Sequence, residues 1–66
     1  MLKAPRFMRE YASYMIKEID KNEAFDSAYK AERITGINEA LEMYSHGLCS
    51  VWETMSMIGA GQYMSY

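Results

Sequence analysis

The sequence predicts an all-α protein of three short helices, near residues 5–21, 30–46 and 50–59, with the second and third forming a tight helical hairpin. Three observations predict it. One proline and four glycines in 66 residues leave little turn material for the many short strands of an all-β chain. Ala, Glu, Lys, Met and Leu recur in helix-compatible runs. The stretch Tyr44-Ser45-His46-Gly47-Leu48-Cys49-Ser50-Val51-Trp52-Glu53 combines a helix stop with a helix start.

The first helix begins at Pro5, whose missing N–H and fixed φ suit a first turn. At 100° per residue, Met8, Tyr11, Ala12, Met15 and Ile19 share a face, with Phe7 and Tyr14 at one edge and Ile16 at the other. That apolar arc approaches about 200°, whereas packing on one neighbour needs a stripe only a little wider than about 100°. The helix is therefore expected to meet two surfaces, one of which belongs to another chain. Asp20-Lys21-Asn22 ends it, because the pattern stops at Ile19 and Asn accepts cap geometry.

Ala24, Phe25, Ala28 and Tyr29 share a face rotated by more than a quarter turn from that of Ile34, Ile37, Leu41 and Tyr44. A bend or fresh start is expected between residues 22 and 33, with Asp26 or Ser27 as the cap. Whether residues 22–30 are a turn or a helical segment is left open. Phe25 and Tyr29 are expected to plug the end of the core.

Gly47 closes the second helix in the left-handed conformation, Leu48 folds back on it, and His46 sits at its negative end. Ser50 and Glu53 have capping-box spacing, which starts the third helix at Val51. Trp52, Met55 and Ile58 are then expected to face the second helix, and Gly59-Ala60-Gly61 ends the third. An alternative is one long coiled-coil helix from about 30 to 59, because Ile34, Ile37, Leu41, Tyr44, Leu48, Val51, Met55 and Ile58 alternate three and four apart. A continuous helix would waste both the Gly47 stop and the Ser50 start, so the hairpin is preferred.

Residues 1–66 are read as one small domain, with 61–66 as a flexible tail. A chain of this length buries only about 60% of the surface that its unfolded form exposes. Hydrophobic residues at 50% and charged residues at 24% give a globular balance. A single cysteine, Cys49, removes the internal disulfide that small secreted chains use, and the charged N-terminal stretch with Pro5 is unlike a secretory signal. The longest run without formal charge, from Thr54 to Tyr66, falls short of the roughly 20 apolar residues of a membrane span. A cytoplasmic protein is expected, with no membrane partner.

All seven Lys and Arg residues lie in the first half, and from Ile34 onward the only formal charges are Glu39, Glu42 and Glu53. That acidic half is not a polyanion-binding surface. Arg6-Phe7-Met8-Arg9-Glu10-Tyr11-Ala12-Ser13-Tyr14, with Ala40-Leu41-Glu42-Met43-Tyr44 and Gly47-Leu48 to Glu53-Thr54-Met55, resembles a group of small bacterial helical proteins to which no activity is assigned, with a mobile element as one expected origin. The resemblance spans most of the chain, implies a bacterial cytoplasmic origin, and carries over no functional residue.

Glu42, His46 and Cys49 are the best metal constellation in the sequence, and a poor one. A structural zinc needs four protein ligands, and one His and one Cys leave the set incomplete. A Cys49–His46 nucleophile pair lacks an orienting group. There is no phosphate-binding glycine loop, and no cofactor, metal, small-molecule substrate or enzymatic activity is expected. As a helix-turn-helix reader of DNA, the third helix would offer bases only Glu53, Thr54 and Ser56. Lys3, Arg6, Arg9 and Lys17 form a more basic face on the first helix, interrupted by Glu10 and Asp20. A small transcriptional or mobile-element regulator that touches nucleic acid there is the second functional reading.

Seven methionines and nine aromatics are the remaining peculiarity. Met8, Met15, Met43, Met55 and Met57 are core candidates, since methionine fills irregular gaps. Yet Met43, Met57, Tyr63, Met64 and Tyr66 do not all fit on the inward faces. The surplus is read as an interface comprising Phe7, Tyr14, Ile16, Met43, Met57, Tyr63 and Met64. The first functional reading is a non-catalytic helical protein that binds itself, a dimer being favoured, or a larger protein.

Overall fold

The computed structural model describes residues 2–59. Three helices follow in order: α1 (Arg6–Lys21), α2 (Ser27–Ser45) and α3 (Val51–Ile58). The predicted tail at 61–66 lies outside the described residues. Both α1 and α3 pack on α2, and α2 and α3 form a helical hairpin.

Pro5 stands at the start of α1, where its carbonyl accepts from the N–H groups of Met8 and Arg9, both at 3.1 Å. One face of α1 enters the core through Met8, Ala12, Met15 and Ile19, the i, i+4, i+7, i+11 stripe of an amphipathic helix. Asn22 ends the helix in an extended conformation (φ −79°, ψ 109°) rather than a left-handed one. It then turns the chain with its side chain, Oδ1 accepting from the Ala24 N–H at 2.9 Å.

The connection is short because Asp26 caps α2, its Oδ1 accepting from the Tyr29 N–H at 2.8 Å. α2 therefore starts at Ser27, three residues ahead of the expected 30. Phe25 is half-buried against the core and stacks obliquely on Tyr29, with ring centroids 4.7 Å apart, while Tyr29 stays exposed on its outer side.

At the far end of α2, Gly47 adopts φ +74°, the single positive φ among the described residues. The Leu48 N–H reaches the Met43 carbonyl at 3.0 Å and the Gly47 N–H reaches Tyr44 at 2.9 Å, the paired bonds of a Schellman stop. The Leu48 side chain does not fold back as expected and is 68% exposed, so the backbone bonds alone close the helix. His46 is the residue at the helix end, and the continuous coiled coil is excluded. At Ser50 the reciprocal capping box is complete: Ser50 Oγ accepts from the Glu53 N–H at 3.1 Å, and Glu53 Oε1 accepts from the Ser50 N–H at 2.8 Å.

The core is thin. Met8, Ala12, Met15, Ile19, Ile37, Ala40 and Ile58 are buried, with Thr54 as the buried polar residue. Two of the seven apolar members are alanines, which leaves most of the stabilisation to the five large side chains, each contributing about 1.5–3 kcal/mol when fully buried. Thr54 is tolerated because its Oγ1 donates to the Ser50 carbonyl one turn back, 2.8 Å away.

Candidate functional site

The largest departure from the expected packing is Trp52. The capping box fixes where α3 begins, and from there Val51, Thr54, Met55 and Ile58 share the inward side at 100° per residue. Trp52 falls about a quarter turn outside that seam. Instead of facing α2, it is 83% exposed, the most exposed large apolar side chain among the described residues.

Trp52 does not stand alone. On α1, Phe7, Tyr11 and Tyr14 have the i, i+4, i+7 spacing of one helical side, next to the buried stripe. Phe7 is 54% exposed, Tyr14 is 57% exposed, and Tyr11 is half-buried against the core. Between this row and α3 runs an open groove of about 460 Å³ lined by Phe7, Tyr11, Val51, Trp52, Met55 and Ser56. Its walls are mostly aromatic and aliphatic, with the hydroxyls of Tyr11 and Ser56 and the indole N–H of Trp52 as the polar side-chain groups.

The other residues of the expected interface are distributed elsewhere. Ile16 lies on the opposite flank of α1, half-buried against the core. Met57 is half-buried too, and with Met43, Gly36 and Ala40 it lines a separate shallow depression between α2 and α3. Met43 is exposed. Tyr63 and Met64 lie outside the described residues. The structure thus places Phe7 on the groove together with Trp52, which the sequence had turned inward, and places Tyr14 on the neighbouring outer-face depression of α1. The signal that locates Trp52 was present in the three-and-four spacing of Val51, Met55 and Ile58, which leaves position 52 off the seam.

The basic side chains occupy the outer face of α1. Arg6, Arg9 and Lys17 lie there with Glu10, Ser13 and Tyr14, and Lys3 is exposed just ahead of the helix. Arg6 is engaged by Glu10, Nε to Oε2 at 2.9 Å, one turn along. At the end of the helix Lys21 pairs with Glu18 at 2.9 Å, and the hydrogen bond to that carboxylate, then its charge, hold the Lys21 ammonium above its ordinary value. Both pairs are solvent-exposed and contribute little to stability.

Glu42 and His46 approach to 3.9 Å between Oε1 and Nε2, with both side chains at least half exposed. Cys49 is a half-buried thiol. Among the described residues no three His, Cys, Asp or Glu side chains are grouped to hold a metal ion. Every buried side-chain nitrogen or oxygen among them has a hydrogen-bond partner. No described helix is long and apolar enough to cross a membrane.

No protein-family model, curated protein or solved structure matches this chain. The α1–α3 groove is the most apolar of the surface depressions described above. It offers a continuous apolar surface to another polypeptide's side chains, with a tryptophan standing out from it.

Proposed function

We propose that this chain is a non-catalytic protein-interaction module of the bacterial cytoplasm, which docks on itself or on a larger protein through the apolar side formed by α1 and α3. The observation that carries the reading is Trp52, 83% exposed on the lip of a groove lined by Phe7, Tyr11, Val51 and Met55. An exposed tryptophan in an apolar setting is costly in water, and tryptophan is the residue type most enriched among those that dominate binding energy. The small core adds a second argument. A chain of this size, built on five large buried side chains and two alanines, gains stability by covering apolar surface with a partner.

The test is affinity capture with the intact chain, run in parallel with Trp52→Lys and Arg9→Glu variants at low and high salt. Docking through this groove is expected to survive high salt, to survive Arg9→Glu, and to be lost with Trp52→Lys, because apolar burial is barely screened. Retention of nucleic acid that vanishes with salt and with Arg9→Glu would overturn the reading in favour of the basic face.

A further inference from the structure

A second open surface lies on the other side of α3 from the groove. Between α2 and α3 is a shallow depression of about 420 Å³, lined by Glu32, Gly36, Glu39, Ala40, Met43 and Met57, with Arg33 at its edge. We propose that this depression docks a cationic amphipathic helix of another protein, whose apolar side chains sit over Gly36 and Met43 and whose ammonium or guanidinium groups meet Glu32 and Glu39. The site is separate from the α1–α3 groove, and it adds a second partner to the docking reading rather than specifying the first.

Shape is the first argument. Gly36, Ala40 and Met43 have the i, i+4, i+7 spacing of one helical face, and all three line the depression. A Cβ on Gly36 would meet nothing within 4 Å, so no neighbouring element of the fold requires a glycine there. A glycine in a helix interior destabilises it relative to alanine, and what it supplies in return is close approach to the backbone. Here that approach is open only from outside the chain. Met43 is exposed on one side of the gap and Met57 half-buried on the other, so an incoming apolar side chain meets two adaptable thioethers. A cavity of about 150 Å³ already accommodates a benzene ring, so the depression has room for such a side chain and a neighbour.

Charge is the second argument. Glu32 and Glu39 line the same depression and stand seven residues apart, which separates them by roughly 10 Å along α2 at about 1.5 Å per residue. Both are exposed, and among the described residues neither has an ion-pair partner. The cation at the edge, Arg33, donates from Nη2 to the Ile58 carbonyl at the end of α3. Beyond it α2 and α3 carry acidic residues and no Lys or Arg. A helix lying alongside α2 has the same rise, so Lys or Arg side chains seven apart on it face both carboxylates at once, as the flanking charges of paired helices do. The spacing also selects the source of those cations. No two of this chain's own seven Lys and Arg residues stand seven apart, so the matching row comes from a different protein.

The experiment is a chemical-shift titration of the intact, isotope-labelled chain with a synthetic peptide of about 18 residues, long enough to be helical, that carries leucines along one face and lysines seven apart beside them. A control peptide carries glutamate in place of every lysine. The expected result is a set of shifts confined to residues 32–43 and Met57, with a Kd on the order of 100 µM at low salt. Binding is expected to weaken as salt rises, because exposed carboxylates are screened. The glutamate peptide is expected to leave the spectrum unchanged. Gly36→Leu fills the depression, and it is expected to keep its helical circular dichroism while weakening binding by about tenfold or more. Glu32→Gln combined with Glu39→Gln is expected to weaken it by about tenfold and to remove its salt dependence, and Trp52→Lys to leave it unchanged. No shifts up to about 1 mM lysine peptide overturn the inference. Equal shifts from the glutamate peptide overturn it as well, as does binding indifferent to both Gly36→Leu and the double glutamine variant. Shifts at Phe7 and Trp52 that vanish with Trp52→Lys place the peptide in the α1–α3 groove, which overturns this site while the docking reading stands.

Discussion

Arg33 of α2 donates from Nη2 to the carbonyl of Ile58, 3.4 Å away at the last turn of α3. α3 carries no basic residue of its own in that turn, so the negative end of its dipole is met by a cation from the neighbouring helix. The pattern recurs in the fold. Lys30 Nζ donates to the Asp20 carbonyl at the end of α1, and the Leu2 N–H donates to the Ser45 carbonyl at the end of α2, 2.8 Å away. Each helix thus has a terminal carbonyl satisfied by a group outside itself, which ties the three ends to the tertiary arrangement. Arg33→Met is expected to cost about 1 kcal/mol, since the contact is charge-assisted but long. For a chain of this size that lowers the melting temperature by about 4–8 °C. An unchanged melting curve would show that the guanidinium contributes nothing.

Two glycines respond in opposite directions to the same substitution. Gly47 holds φ +74°, and a Cβ there would meet only Leu2 Cδ1 at 4.0 Å, so the cost of Gly47→Ala is one of backbone conformation rather than space. That cost is about 1–2 kcal/mol. Gly36 lies within α2 and a Cβ there would meet nothing within 4 Å, so Gly36→Ala is expected to stabilise by about 0.5–1 kcal/mol. Urea titrations check both: the midpoint falls for one and rises for the other, with the slope unchanged.

The features legible in the sequence are those decided within a few residues of chain. The Gly47 stop, the Ser50–Glu53 start and the inward Met8, Ala12, Met15 and Ile19 of α1 rest on local geometry and stand as read, whereas the Leu48 side chain, which depends on what it can pack against, does not fold back. The N-terminus of α2 was half legible: Asp26 was a candidate cap and is the cap, but the rotated face of Ala24, Phe25, Ala28 and Tyr29 moved the expected start to residue 30. Trp52 lies outside and Thr54 inside for one reason. Hydrophobicity points tryptophan inward, but the register set by the cap turns position 54 to the core, where threonine satisfies its hydroxyl on its own helix. Of the candidate surface, Phe7 and Tyr14 could be seen as the outer edge of too wide an arc. The groove itself could not, since it exists only where α1 and α3 meet, and so do the caps supplied by Lys30 and Arg33.

Ser50→Ala is expected to loosen α3 before the rest of the molecule. The hydroxyl oxygen accepts the Glu53 N–H, and its loss at a helix start costs about 1 kcal/mol. A helix of eight residues does not persist without its caps and packing. Amide hydrogen exchange is expected to accelerate across residues 51–58 while α1 keeps its protection. Uniform acceleration over all three helices would instead mean that α3 opens only with global unfolding.

Ile37 and Trp52 are both large and apolar, and truncation of each is expected to have a different consequence. Ile37 is fully buried between the helices, so Ile37→Ala costs about 2–5 kcal/mol in lost transfer energy and cavity. At roughly 0.05–0.15 kcal/mol per residue, the whole chain has only about 3–10 kcal/mol to lose, and a large share of the variant is expected to be unfolded at 25 °C. Trp52→Ala removes a side chain 83% exposed, and the isolated fold is expected to keep its stability within about 0.5 kcal/mol. The two also differ in their response to concentration. Association linked to folding makes the melting temperature rise with protein concentration, so the wild type is expected to melt higher at about 100 µM than at about 1 µM. Trp52→Ala is expected to melt at one temperature throughout, coinciding with the dilute limit of the wild type. If the wild-type melting temperature is itself independent of concentration, association contributes nothing to the fold, and the thin core of α1, α2 and α3 is sufficient by itself.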